Sequence, residues 1–313
     1  MYGFYIDIAV WTNLTQDHLN FHKDMDSYYE AKKRLFTENL KKSGIAVINI
    51  DDEWGRKLYR ELPGVSKITY GFNETCTYTY ACTCDVRINN FTTSWSGTVV
   101  EIIYENKKMI FNSSLAGDFN SLNMAALIAG ALKLNIPESE IQRVFDETEG
   151  ISGRIDLVKT SLPFTIVIDY AHTPDALKNV LSTAKKLTPG RLFCVFGCGG
   201  DRDKSKRPLM AEAVAKFCDE AIITTDNPRT ESPERIISEI AEGMPLDFTY
   251  KVSQDRREAI HKALSIAQKN DCIVIAGKGH ESYQEINNVR YHFDDKETVL
   301  DLSKEMELNS GGK

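Results

Sequence analysis

From residue 164 onward the chain alternates short apolar, β-branched runs with stretches of helical spacing, and this alternation constrains the fold more than any other feature. Runs at 164–169, 192–196, 221–225 and 272–276 read as buried strands, and 175–187, 208–217, 233–242 and 256–268 read as helices. Strands joined through helices pair in parallel, because a parallel connection needs a crossover of a dozen or more residues. The expected product is a doubly wound, Rossmann-like sheet, which takes its ligands at the carboxyl ends of its strands. The unusual loops fall at those ends: Asp169-Tyr-Ala-His172, Gly197-Cys-Gly-Gly-Asp-Arg202, Thr225-Asp-Asn-Pro-Arg229 and Gly277-Lys-Gly-His-Glu281.

The first half reads differently. A short aromatic and β-branched run predicts a buried strand over 5–11, followed by a helix over 26–39 with Asp26 or Ser27 as its N-cap and Gly44 beyond its end. A strand over 45–50 leads into Asp51 and Asp52. Alternation over 65–112, with a turn at Glu105-Asn106-Lys107, predicts an antiparallel β segment, and helices follow over 119–134 and, opened by Pro137, to Glu147. Gly150 and Gly153 then break the chain, so the expected domains are 1–152, α/β with an antiparallel β segment, and 153–313, the Rossmann-like unit.

A length of 313 residues exceeds one comfortable core, in keeping with two domains. The net charge of −7 provides no basic stripe for a nucleic-acid backbone. The seven cysteines form no Cys-x-x-Cys pair, and their odd number speaks against a complete disulfide framework, which fits a reduced, cytoplasmic setting. The first residues lack a basic n-region, and no apolar run is long enough to span a membrane. Lys204-Ser205 follows a glycine-rich loop but is no P-loop, since Asp203 stands where that motif needs glycine.

The stretch 12–36 contains Thr-Asn-Leu-Thr-Gln-Asp-His18-Leu-Asn-Phe-His and then Glu30-Ala-Lys32. It resembles the central domain of the Mur ligases, the ATP-dependent amide ligases of peptidoglycan precursor synthesis. The resemblance implies that His18 ligates Mg²⁺ and that Lys32 is carbamylated and holds the metal too; a carbamate gives a hard cation the oxygen ligands it prefers. Further matches imply contacts with ATP: Asn123, in Gly-Asp-Phe-Asn-Ser-Leu-Asn, with the adenine; Arg154, in Ile-Ser-Gly-Arg-Ile-Asp, with ATP on domain closure; Asp169 with the ribose; and His172 with phosphate. A helix cap or buried polar contact remains the alternative for Asn123, and a cap of the next helix for His172.

Within the family, the Asp226-Asn227-Pro228-Arg229 form resembles the branch that adds meso-diaminopimelate to UDP-N-acetylmuramoyl-L-alanyl-D-glutamate. Diaminopimelate carries a second amino-acid head, whose carboxylate suits a guanidinium fork and whose ammonium suits a carboxylate. The resemblance places Arg202, Asp226, Asn227, Pro228, Arg229, Gly277 and Glu281 around that head. It covers nearly all of this chain but only the later part of the family's length, since the family's P-loop and UDP-binding domain lie upstream. The chain by itself is therefore expected to be a monomer without ligase activity. The alternatives are a lysine-adding or other Mur-type ligase, a folylpolyglutamate synthase relative, or a non-catalytic amino-acid-binding module.

Overall fold

The computed structural model of the protein describes residues 4–15, 23–72, 84–148, 150 and 152–310. The chain divides into two compact units, Met1–Glu149 and Gly150–Lys313.

The first unit is built on a six-stranded sheet in chain order: β1 (Ile6–Trp11), β2 (Leu40–Asn49), β3 (Ser66–Phe72), β4 (Val86–Ser94), β5 (Gly97–Tyr104) and β6 (Lys107–Ser113). β1 to β4 pair in parallel, and β4 to β6 form an antiparallel meander. The antiparallel segment is therefore shorter than 65–112, because β3 belongs to the parallel part. The reason lies in burial: four consecutive residues of β3 are buried, as in a strand covered on both faces, whereas β6 buries every second residue. The expected turn is present, with Glu105 and Asn106 at φ 49° and 62°, the geometry of a two-residue hairpin loop.

Helices cover both faces of this sheet. α1 (Met25–Arg34) is capped by Asp24, not by Asp26 or Ser27: Ser27 N–H donates to Asp24 Oδ1 at 2.8 Å, and Asp24 N–H donates to Ser27 Oγ at 3.3 Å. The helix runs on as a π-helical turn, Leu35–Asn39, and Gly44 lies inside β2 instead of just beyond a helix end. α2 (Glu53–Glu61), which the sequence reading missed, starts at Asp52, whose carboxylate accepts from Gly55 N–H at 2.7 Å. Together α1, the π-helical turn and α2 bury Tyr29, Phe36 and Leu58 against Trp11 and Ile48. On the opposite face α3 (Phe119–Lys133) and α4 (Glu138–Glu147) pack Met124, Ile128 and Phe145 onto Val47, Tyr70 and Phe111.

The second unit contains β7 (Asp156–Leu157), β8 (Thr165–Asp169), α5 (Pro174–Leu187), β9 (Leu192–Phe196), α6 (Lys206–Phe217), β10 (Glu220–Ile223), α7 (Pro233–Ala241), β11 (Tyr250–Val252), α8 (Arg256–Ile266) and β12 (Cys272–Ala276). A hairpin, β13 (Tyr283–Ile286) and β14 (Val289–His292), and α9 (Asp295–Ser310) complete it. The main sheet has the order β11-β10-β9-β12-β8-β7 and is parallel except for β7. β12 is inserted between β9 and β8, so the loops that leave β8, β9 and β12 are neighbours. All five described cysteines are buried free thiols, and no described helix is long and apolar enough to cross a membrane.

One ion pair fixes the end of β12. Arg256 and Asp295, the first residues of α8 and α9, are fully buried and meet through two 2.8 Å hydrogen bonds, while Arg256 Nη2 also donates to the Ala276 carbonyl at 3.1 Å. Removing one partner of such a pair leaves a buried charge uncompensated, which typically costs about 3–5 kcal/mol. Asp295→Ala is therefore expected to lower the stability of the second unit by that amount in urea denaturation. A loss below about 1 kcal/mol, the range of a surface ion pair, would show that the pair is dispensable.

Candidate functional site

The loops after β9 and β10 are laced together by backbone and side-chain hydrogen bonds. Gly200 N–H donates to the Asn227 carbonyl at 2.9 Å, Asp201 N–H to Glu231 Oε1 at 2.6 Å, and the Thr230 hydroxyl to Asp201 Oδ1 at 2.9 Å. Beneath them the fully buried guanidinium of Arg207, on α6, binds Glu231 at 2.9 Å and also Glu239. Arg207, helped by Asp201 N–H and Lys204, holds the Glu231 carboxyl down to about 2 against the opposing effect of burial.

Arg229 is held in a conformation that L-residues rarely adopt, at φ 52°. Its N–H donates to the Glu285 carbonyl at 3.0 Å, and its carbonyl accepts from Asn287 N–H at 2.7 Å, so the β13–β14 hairpin holds it in place. Its side chain lies 3.8 Å from the Glu285 carboxylate and donates to the Gly200 carbonyl at 2.7 Å. A Cβ on Gly199 would stand 2.9 Å from Arg229 Nη1 and 3.9 Å from Arg202 Cγ, so both arginines flank one bare stretch of backbone. Arg202 is exposed and donates to the Asp201 carbonyl at 3.0 Å. Strained backbone of this kind persists where the surroundings over-determine it, as they do at binding sites.

Beside this pair stands an acidic cluster built around a lysine. Lys278 is fully buried; its ammonium donates to the Tyr283 carbonyl and to Asn227 Oδ1 at 3.3 Å, and lies 3.5 Å from Glu281 Oε2 and 3.8 Å from Asp226 Oδ1. Asn227 Nδ2 donates to Glu281 Oε2 at 2.8 Å, and Asn227 Oδ1 also accepts from Glu285 N–H at 2.9 Å. Gly277 has φ 116°, and a Cβ there would come within 3.0 Å of Asp226 Oδ2, so only glycine suits the position. Pro228 is buried between Asn227 and Arg229. Asp226, Asn227, Arg229, Gly277 and Glu281 thus occupy one locality, with Arg202 and Pro228 at its edge.

The remaining candidates of this unit surround Tyr170. Asp169, at the end of β8, is buried and accepts from Ile155 N–H at 2.7 Å and Ala171 N–H at 2.8 Å; burial pushes its carboxyl up, against those two bonds. Arg154 is exposed, its guanidinium carbon 5.2 Å from the centroid of the Tyr170 ring. His172 Nδ1 is 2.8 Å from the Tyr170 carbonyl, and its ring meets the Tyr170 ring edge-on at 4.6 Å. The residue that caps α5 is Thr173, whose hydroxyl accepts from Ala176 N–H, so His172 is free of that duty.

In the first unit Lys32 is exposed on α1, its ammonium 5.1 Å from the centroid of the Tyr28 ring. It rims a cavity of about 350 Å³ lined by Trp11, Thr12, Asn13, Phe36 and Asn39. Asn123 is exposed on α3 and donates to Asn120 Oδ1 at 3.0 Å. His18 lies outside the described residues, which contain no cluster of three or more histidine, cysteine or acidic side chains able to hold a metal. The described residues therefore do not by themselves assemble a magnesium site.

Sequence reasoning missed Lys278, Glu285 and Arg207. A signal existed for Lys278, a lysine between two glycines directly after an all-apolar strand. None existed for Glu285, whose approach to Arg229 depends on the hairpin folding back.

Comparison with known proteins adds the following. Residues 1–131 match the Mur ligase middle domain, and residues 153–279 match the Mur ligase glutamate ligase domain. UDP-N-acetylmuramoyl-L-alanyl-D-glutamate–2,6-diaminopimelate ligase 1 of Clostridium acetobutylicum is 41% identical over 308 residues, taking in 98% of this chain and 61% of that protein. A solved structure of a UDP-N-acetylmuramoyl-L-alanyl-D-glutamate–2,6-diaminopimelate ligase shares 38% identity at a TM-score of 0.62, over 96% of this chain and 61% of the other. The MurF ligase of Thermotoga maritima, solved in complex with ADP, has 19% identity and a TM-score of 0.70 over 97% of this chain and 63% of that one, a likeness of fold. This chain thus spans 61% of the length of both diaminopimelate ligases.

Proposed function

Since the chain belongs to the Mur ligase family, with that family's middle domain followed by its glutamate ligase domain, we propose that its second unit binds the amino acid for a UDP-N-acetylmuramoyl-L-alanyl-D-glutamate–meso-diaminopimelate ligase. The observation that carries this reading is a pair of opposite charges on adjoining loops: the Arg229 guanidinium, tied to Gly200, and the Glu281 carboxylate, tied to Asn227. A second amino-acid head offers a carboxylate and an ammonium from one carbon, and these two groups answer it. Lysine offers only the ammonium.

In the reaction the D-glutamate side-chain carboxylate takes the γ-phosphoryl of ATP, and the diaminopimelate amine displaces phosphate from the acyl phosphate. The contribution of the second unit is positioning: charge pairing at the distal head fixes the ligand so that its other amine reaches the acyl carbon. Asn123, Arg154, Asp169 and His172 are the proposed ATP contacts. Mg²⁺ would neutralise shifting phosphate charge; His18 and a carbamylated Lys32 are its proposed ligands. The setting is the cytoplasm, the protein acts as a monomer, and the nucleotide-sugar dipeptide supplies the acyl group.

Two outcomes are expected. Arg229→Ala strips the distal carboxylate of its partner, which typically costs on the order of 2–5 kcal/mol for a buried charge pair. Competition titration should show that loss for meso-diaminopimelate and far less for lysine; equal proportional losses would mean that Arg229 supports the fold and does not read the ligand. For Lys32, which stands exposed at the cavity rim, ¹³C-bicarbonate should produce a carbamate carbonyl resonance in the parent that Lys32→Ala lacks. Identical spectra would leave Lys32 an ordinary surface lysine.

A further inference from the structure

The buried lysine has no part in the reading given above, yet it touches every group on the acidic side of the site. Lys278 is fully buried and lies within 3.8 Å of two carboxylates, Asp226 and Glu281. One ammonium balances one carboxylate, so the cluster carries a single negative charge in excess. That excess suits one incoming ammonium. The lysine also fixes direction: its ammonium must face an acceptor, so Asn227 turns Oδ1 towards Lys278 and Glu285 N–H, which leaves Nδ2 to face Glu281. Asn227 and Lys278 then engage the same oxygen of Glu281, Oε2, at 2.8 and 3.5 Å. Oε1 is the oxygen left to accept from a ligand.

We propose that Lys278 is a positioning residue that sets the charge and orientation of Glu281, and through it makes the site read the configuration of the distal carbon of diaminopimelate. This rests on the reading of the second unit as the diaminopimelate site. The meso and L,L isomers carry the same groups and differ only in which way carboxylate and ammonium point from that carbon. Arg229 alone accepts the carboxylate of either. Only a fixed acceptor at a second point, with a third contact along the ligand chain, distinguishes the two hands. Without the lysine, Asp226 and Glu281 would lose the cation between them, and the Glu281 carboxylate would be held by Asn227 alone.

The test is a competition titration of meso-diaminopimelate, L,L-diaminopimelate and L-lysine against the parent chain, Lys278→Met, Glu281→Gln and the double variant. Lys278→Met should weaken meso-diaminopimelate by about tenfold or more, the scale of one lost charge-assisted hydrogen bond, and bring the meso to L,L ratio towards one. Its preference for diaminopimelate over lysine, which belongs to Arg229, should persist. In the Glu281→Gln background the lysine change should move the isomer ratio no further, because the lysine acts through Glu281. This second comparison also serves if Lys278→Met alone fails to fold, since the double variant removes cation and anion together. An unchanged isomer ratio in Lys278→Met, or losses that add in the double variant, would overturn the proposal while the diaminopimelate reading stands. A parent that binds diaminopimelate no better than lysine would overturn both.

Discussion

A fully buried ammonium must be compensated where it stands, because water cannot reach it. In the second unit Lys278 finds that compensation only because three separate segments converge: the loop after β10 supplies Asp226 and Asn227, the loop after β12 supplies Glu281, and the hairpin supplies the Tyr283 carbonyl. Any segment that moved away would leave the charge under-satisfied. The same convergence brings the guanidinium of Arg229 within 3.8 Å of the Glu285 carboxylate. Below it the Arg256–Asp295 pair anchors the end of β12, and Arg207 anchors the loop after β9 through Glu231. The site is therefore held in place by buried charges on its own elements.

Much of the fold was legible in the sequence because the second unit is made of local signals. The strands at 192–196 and 272–276 are continuous apolar runs, and the structure places β9 and β12 at those residues. What escaped was non-local. β3 alternates weakly in sequence, and only its burial between β2 and β4 decides that it runs parallel to both. α2 is short and polar, with Arg56, Lys57 and Arg60 in its nine residues, so it was passed over as a solvated connection although its few apolar residues keep a helical period. The hairpin and α9 follow a motif rich in glycine that reads as loop, and their place is fixed by Arg229 and Arg256, far away in sequence.

The site divides along the same line. Arg229, Asn227 and Glu281 were singled out by resemblance, in motifs that sit at strand ends, where such sheets bind their ligands. Lys278 was passed over although it stands inside one of those motifs, since a lysine beside glycines reads as a surface residue until its burial is known. The first unit shows the reverse case: Lys32 and Asn123 were singled out by resemblance, and the structure places both at the surface, Lys32 beside a cavity and Asn123 next to Asn120. Their proposed chemistry calls on groups that the described residues do not supply, whereas the charges proposed to hold an amino-acid head all lie within the second unit.

The most direct measurement is the structure of this chain with meso-diaminopimelate bound. The account predicts one amino-acid head of the ligand in the second unit, with its carboxylate against the Arg229 guanidinium and its ammonium on Glu281 Oε1, while Lys278 keeps its contacts with Asn227 and Glu281. A ligand seated elsewhere, or held with its ammonium turned away from Glu281, would contradict it.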